Sequence, residues 1–249
     1  MVEKVYLYLA YYPGQAVLLA AMELTSPPDM LYTVAYHIRR MLSVKKLLYK
    51  LAFLAPYVTI PPGLFIFHSA WVALIAYHAV MILIMLVRHY RVSLGQVFNC
   101  RNILIIIGMA ALGVAAGVAI YLLWPYLNIS AGIVDELGSL GLGPGNWAIF
   151  LIYFVLVNPL LEELFWRGLL GSASLRPVWH DLAFAGYHAV VLLGKMEYYW
   201  LLPVLAALFL GAWLWRQVNR TAGSLLPGII AHAAADFSVM LAVFVLLFA

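Results

Sequence analysis

The run ILIIIGMAALGVAAGVAIYLLW, Ile103 to Trp124, contains no charged side chain and no alternation of polar with apolar positions. Continuous rather than alternating hydrophobicity at this length reads as a helix crossing a bilayer, because a hydrocarbon core about 30 Å thick needs roughly 20 apolar residues. Working outward, similar runs cover Val5 to Leu24, Leu51 to Phe67, Ser69 to Val87, Trp147 to Trp166, Asp181 to Gly194, Tyr198 to Trp215 and Gly228 to Ala249. The expected fold is therefore all-α, a polytopic transmembrane helical bundle of about eight spans. Pro13 and Gly14 interrupt the first span, and the sixth is short. The N-terminal run superficially resembles a signal peptide but lacks a small-residue cleavage site, so it is read as part of the mature chain.

Composition agrees. Of 249 residues, 66% are hydrophobic and 10% charged, and the mean hydropathy is +1.00. A soluble domain carries about a quarter charged residues, so a cytosolic globule, a disordered chain and a nucleic-acid module with a broad basic face are excluded. The single Cys100 forms no intrachain disulfide.

The net charge of +4 is a topology signal. With eight alternating spans, Arg39, Arg40, Lys45, Lys46, Lys50, Arg88, Arg91, Arg101, Arg176, Arg216 and Arg220 share one side and only Lys4 and Lys195 lie opposite. By the positive-inside rule the basic side is cytoplasmic. This implies an integral, multi-pass protein, in the plasma membrane if the source is prokaryotic. Residues 1–146 read as N-terminal spans with a basic amphipathic segment near 30–50 on the cytoplasmic surface, and 147–249 as a C-terminal helical core. Asn128 to Asn146, rich in Gly, reads as an exterior loop.

Ionisable residues inside spans are costly and need a reason. They gather in the C-terminal half: Glu162, Glu163 and Arg167 in the fifth span, His188 in the sixth, His232 and Asp236 in the eighth. Glu163 and Arg167, four apart, share a helical face and can neutralise each other. Glu162 is left without an intrahelical partner. His232 and Asp236 are also four apart, so Asp236 can fix the imidazole tautomer. Glu162, His188 and Asp236 each fall roughly 12 Å below the basic surface at 1.5 Å rise per residue. A polar cavity reachable from the cytoplasmic side is expected there, with chemistry suited to holding and deprotonating water for peptide-bond hydrolysis. His68 and His78 lack such a pattern and read as structural or pore-facing, Trp124, Trp147 and Trp200 as interface anchors, and Pro159 as a kink before the Glu pair.

Three motifs in order, Glu162-Glu163-Leu-Phe-Trp-Arg167, Phe184-Ala-Gly-Tyr-His188 and His232-Ala-Ala-Ala-Asp236, resemble those of the CPBP (Abi) family of intramembrane proteases, which includes the type II CaaX prenyl endopeptidases. The resemblance covers about Trp147 to Ala249. It implies a glutamate-dependent endopeptidase with Glu162 as general base sharing water with His188, His232 and position 236 as the oxyanion site, and Glu163, Arg167 and Phe184 in support. The CaaX-processing branch typically has Asn where this chain has Asp236, so Asp236 must be protonated or must orient His232. The implied partners are a bilayer and a membrane-associated protein or peptide substrate, not nucleic acid, and no cofactor is expected. Three alternatives remain: a zinc-dependent membrane protease, a non-catalytic scaffold or immunity protein of the same fold, and an ion- or proton-coupled transporter.

Overall fold

The computed structural model describes Leu47 and residues 51–249, which apart from Leu47 lie in the unit Tyr49–Ala249. The expected span Val5 to Leu24 and the basic segment near 30–50 lie outside the described residues, save Leu47. Every regular element among the described residues is helical. They are α1 (Ala55–Pro61), α2 (Ala70–Val87), α3 (Leu94–Phe98), α4 (Ile103–Leu123), α5 (Ile133–Ser139), α6 (Pro144–Glu162), α7 (Trp179–Leu192), α8 (Tyr198–Ala222) and α9 (Leu226–Phe248).

Among the described residues, five helical stretches are long and apolar enough to cross a membrane: Ala70–Val87, Ile103–Tyr126, Pro144–Leu169, Tyr198–Ala222 and Leu226–Phe248. Two other expected spans take a different form. The run after Leu51 breaks into a 3-10 turn (Ala52–Leu54), α1 and a π turn (Pro62–Ile66). Together these turns form one apolar helical stretch, Ala52–Ile66, in which Pro56, Pro61 and Pro62 lack backbone donors. The expected span from Asp181 is α7, only 14 residues long. Gly143, Ser69 and Asn102 precede α6, α2 and α4, and the latter two cap them, Ser69 accepting from Val72 N–H and Asn102 from Leu104 and Ile105 N–H.

Small residues bring α4 and α9 together. A Cβ on Gly113 would lie 2.8 Å from the Ala234 methyl, and Gly117 faces Ser238 as closely. Ser238 Oγ accepts from Gly117 N–H and donates to Gly113 C=O, each at 3.2 Å. In lipid, where apolar side chains gain nothing by leaving solvent, such close backbone approach and cross-helix hydrogen bonding hold helices together. This contact fixes α9, the carrier of His232 and Asp236. α9 also packs on α6 and α8, α6 on α2, and α7 on α8 and α1. Large side chains such as Leu83, Leu86, Leu104, Leu122, Ile149, Leu156 and Leu202 stay exposed, as a lipid-facing surface requires.

Arg216 locks α7 to α8. Its Nε and Nη2 donate to the Asp181 carboxylate at 2.9 and 2.7 Å, Nη1 to the carbonyls of Ser172 and Ser174, and Nη2 to that of Arg176. Asp181 Oδ2 also accepts from Val178 N–H at 3.0 Å, closing the first turn of α7. The helix bearing His188 is thereby anchored at its start.

Candidate active site

Pro159 lies inside α6, and four residues later the helix passes into a π turn, Glu163–Leu169. Such turns are local rearrangements of the helical ladder that often mark functional sites. Glu162 is thus the last residue of regular α-helix and Glu163 the first of the π turn. Both side chains are fully buried, and they have separate partners.

Glu163 is enclosed. Arg167 Nη1 lies 3.0 Å from its Oε1, the i,i+4 pair expected from spacing. Asn219 Nδ2 donates to Oε2 at 3.1 Å, while Asn219 Oδ1 accepts from Gly228 N–H at 2.8 Å. Gly228 is needed there because a Cβ would stand 2.6 Å from Glu163 Oε2. His232 Nδ1 faces Glu163 Oε1 at 3.4 Å. The Arg167 guanidinium sits over the Phe184 ring, 4.1 Å from its centroid.

Glu162 is held on one oxygen only. Its Oε1 accepts from the hydroxyls of Tyr77 on α2 and Tyr187 on α7, at 2.7 and 2.8 Å. Trp166 Nε1 donates to Tyr77 Oη at 2.8 Å, so that phenol's own proton is directed to Glu162. Oε2 makes no hydrogen bond among the described residues and faces His232 Nε2 at 3.4 Å. Asp236 Oδ1 faces the same nitrogen at 3.7 Å. Glu162 Oε2, His232 Nε2 and Asp236 Oδ1 therefore converge.

This changes the expected pairing within α9. Asp236 is too far from His232 for a hydrogen bond, and its Oδ2 accepts instead from Asn158 Nδ2 at 3.2 Å. The carboxylate on His232 Nδ1 is Glu163, backed by Arg167. Sequence spacing finds i,i+4 neighbours but not the helix packing that inserts the imidazole between two adjacent acids of α6.

His188 stacks on Tyr187, ring centroids 4.1 Å apart, and its Nδ1 lies 3.0 Å from Phe184 C=O. A carbonyl only accepts, so Nδ1 carries the proton and the neutral ring offers a lone pair at Nε2. The direct contact to Glu162 from α7 is Tyr187. Phe184, buried, lies edge-on to His188, His232 and Trp166. It forms the apolar wall expected one turn before His188.

Glu162, Glu163, Arg167, His232 and Asp236 thus meet in one cluster, with His188 behind Tyr187. Sequence reasoning missed Tyr77, Tyr187, Trp166, Asn158 and Asn219 as partners. Asn158 and Asn219 carry a weak signal, as amides beside or within apolar runs; an isolated Tyr77 carries none. Among the described residues, no group of three or more His, Cys, Asp or Glu is arranged to hold a metal ion. Glu163 is taken by Arg167 and Asn219, and Glu162 Oε1 by two phenols. A cavity of about 450 Å³, lined in part by Tyr90, Arg91, Gln96, Arg167, Asn219 and Arg220, opens beside the Glu163 partners.

No curated protein and no solved structure matches the chain. A family model does: residues 144–238 match the family described as Type II CAAX prenyl endopeptidase Rce1-like. That segment runs from the first turn of α6 through Asp236 and includes all three motifs. Residues 144–238 of this integral membrane chain are therefore similar to an Rce1-like domain, of a family that is generally proteolytic.

Proposed function

We propose that the protein is a membrane endopeptidase that hydrolyses a peptide bond of a membrane-associated protein or peptide with water activated at Glu162. The observation that carries this reading is the state of the Glu162 carboxylate: fully buried, fixed through Oε1 by two phenols, and unspent at Oε2. Glu163 also leaves Oε1 without a hydrogen bond, but that oxygen faces Arg167 at 3.0 Å, whereas Glu162 Oε2 faces only the His232 imidazole, at 3.4 Å.

In this reading Glu162 Oε2 takes a proton from water while His188 Nε2 accepts the second hydrogen and orients the nucleophile. The resulting hydroxide adds to the scissile carbonyl. Glu163, held by Arg167, orients His232 through Nδ1. In its doubly protonated form His232 offers Nε2–H to the tetrahedral oxyanion. Glu162 then returns its proton to the leaving amine, so atoms and charge balance without a covalent intermediate. Asp236 lies beyond hydrogen-bond reach of His232 Nε2, at 3.7 Å, and acts on it as a nearby charge, where an amide donor is the usual expectation.

The excess of Lys and Arg on one side supports access from the cytoplasm, and the reading is metal-independent. Comparison of membrane-protein termini by mass spectrometry, between cells carrying wild type and cells carrying Glu162→Ala, tests it and identifies the substrate. New termini restricted to wild type, and cleavage unchanged by exhaustive chelation, are expected. Identical termini in both would count against the proposal and leave a scaffold.

A further inference from the structure

Beyond the cluster that touches Glu162, a second set of buried polar groups runs through the bundle and ends on Asp236. His78 on α2 and Asn158 on α6 are 2% and 3% exposed. Their bonds form an unbroken series: Tyr153 Oη to His78 Nδ1 at 2.9 Å, His78 Nε2 to Asn158 Oδ1 at 3.1 Å, and Asn158 Nδ2 to Asp236 Oδ2 at 3.2 Å. Burying an imidazole and an amide in an apolar bundle is expensive unless each polar atom has a partner, and here each does.

The series has a direction. Asp236, as a carboxylate, can only accept, so Asn158 presents its amide N–H to it and its carbonyl oxygen to His78. That oxygen accepts, so His78 Nε2 carries the proton. The neutral ring then accepts at Nδ1 and must receive the Tyr153 hydroxyl proton. All three bonds donate toward Asp236.

We propose that Tyr153, His78 and Asn158 form a one-directional positioning relay that holds Asp236 by Oδ2 and turns its Oδ1 toward His232 Nε2. The three are positioning residues; none touches the reacting atoms. The relay supplies a function for His78, which no sequence motif explains, and adds a second contribution from α2 beside that of Tyr77. It rests on the endopeptidase reading for its effect on rate, but not for its existence.

Exchanging the two ends tests it. Asn158→Asp sets two carboxylates against each other, while Asn158→Asp with Asp236→Asn restores one amide donor and one carboxylate acceptor. His78 Nε2–H can still donate to the carboxylate placed at position 158. Cleavage of the substrate peptide found by terminus comparison, and melting in detergent, are measured for wild type, both single variants and the double variant. The relay predicts that Asn158→Asp loses at least ten-fold, in kcat with KM little changed, and that the double variant cleaves at least ten-fold faster than Asn158→Asp. An Asn158→Asp variant as active as wild type, or a double variant no faster than that single one, overturns it. If wild type cleaves nothing, the endopeptidase reading falls and melting decides the relay. Asn158→Asp should lower the midpoint by about 5 °C, and Asp236→Asn should restore at least half of that. Simply additive losses would reject the relay.

Discussion

Asp181 and Glu162 are both carboxylates buried between helices of one bundle, yet their surroundings differ in kind. Asp181 meets Arg216 through both oxygens, and the remaining guanidinium hydrogens go to the carbonyls of Ser172, Ser174 and Arg176. That cluster is closed. Around Glu162, Oε2, His232 Nδ1 and both Nη atoms of Arg167 are buried without a hydrogen bond among the described residues. Apart from Arg167 Nη2, each faces an opposite charge or the imidazole at 3.0 to 3.4 Å. A closed cluster stabilises, whereas an open one keeps interactions unspent for a reacting group. On the proposed reading, the contrast separates a structural charge from a chemical one where burial alone treats them alike.

The comparison can be broken at either end. The largest effect is expected from Glu162→Gln, which keeps both phenol contacts but has no base; cleavage in proteoliposomes should fall at least about 1,000-fold, equivalent to about 4 kcal/mol of barrier, with melting unchanged. Arg216→Met should do the reverse. Leaving Asp181 buried and unpaired costs about 3–5 kcal/mol, visible as a lower melting midpoint and poorer yield, while cleavage per folded molecule changes little. Glu163→Gln is expected in between, because it strips the charge that faces both Arg167 and His232: cleavage should drop about 10–100-fold with a measurable loss of stability. Tyr77→Phe should have the smallest effect, about 3–10-fold in kcat, since Tyr187 still donates to Glu162 Oε1. A Tyr77→Phe variant as impaired as Glu162→Gln would mean that the phenol itself does the chemistry.

Much of the bundle was legible because continuous apolar runs have a single structural solution in lipid. Ser69 to Val87 is expected and Ala70–Val87 is found; Gly228 to Ala249 is expected and Leu226–Phe248 is found. At Leu51 to Phe67 the expected run is found as the shorter apolar helix Ala52–Ile66, whose prolines divide its hydrogen-bond ladder into 3-10, α and π turns. Within the candidate site, the Glu163–Arg167 pair followed from spacing along one helix. Partners supplied by other helices did not. Tyr77, Asn158 and Asn219 reach the acids only after packing brings α2, α6 and α8 together, and a lone tyrosine or amide in an apolar run has no periodicity to betray its partner. For the same reason spacing assigned Asp236 to His232, while the assembled bundle sets Glu163 on the imidazole.

The most direct test of the open-cluster account is a paired measurement of cleavage rate and melting midpoint on Glu162→Gln and Arg216→Met, with one purified preparation of each. The account predicts a crossing, with Glu162→Gln folded and inactive and Arg216→Met destabilised but active per folded molecule. A Glu162→Gln protein that turns over substrate at the wild-type rate would contradict it.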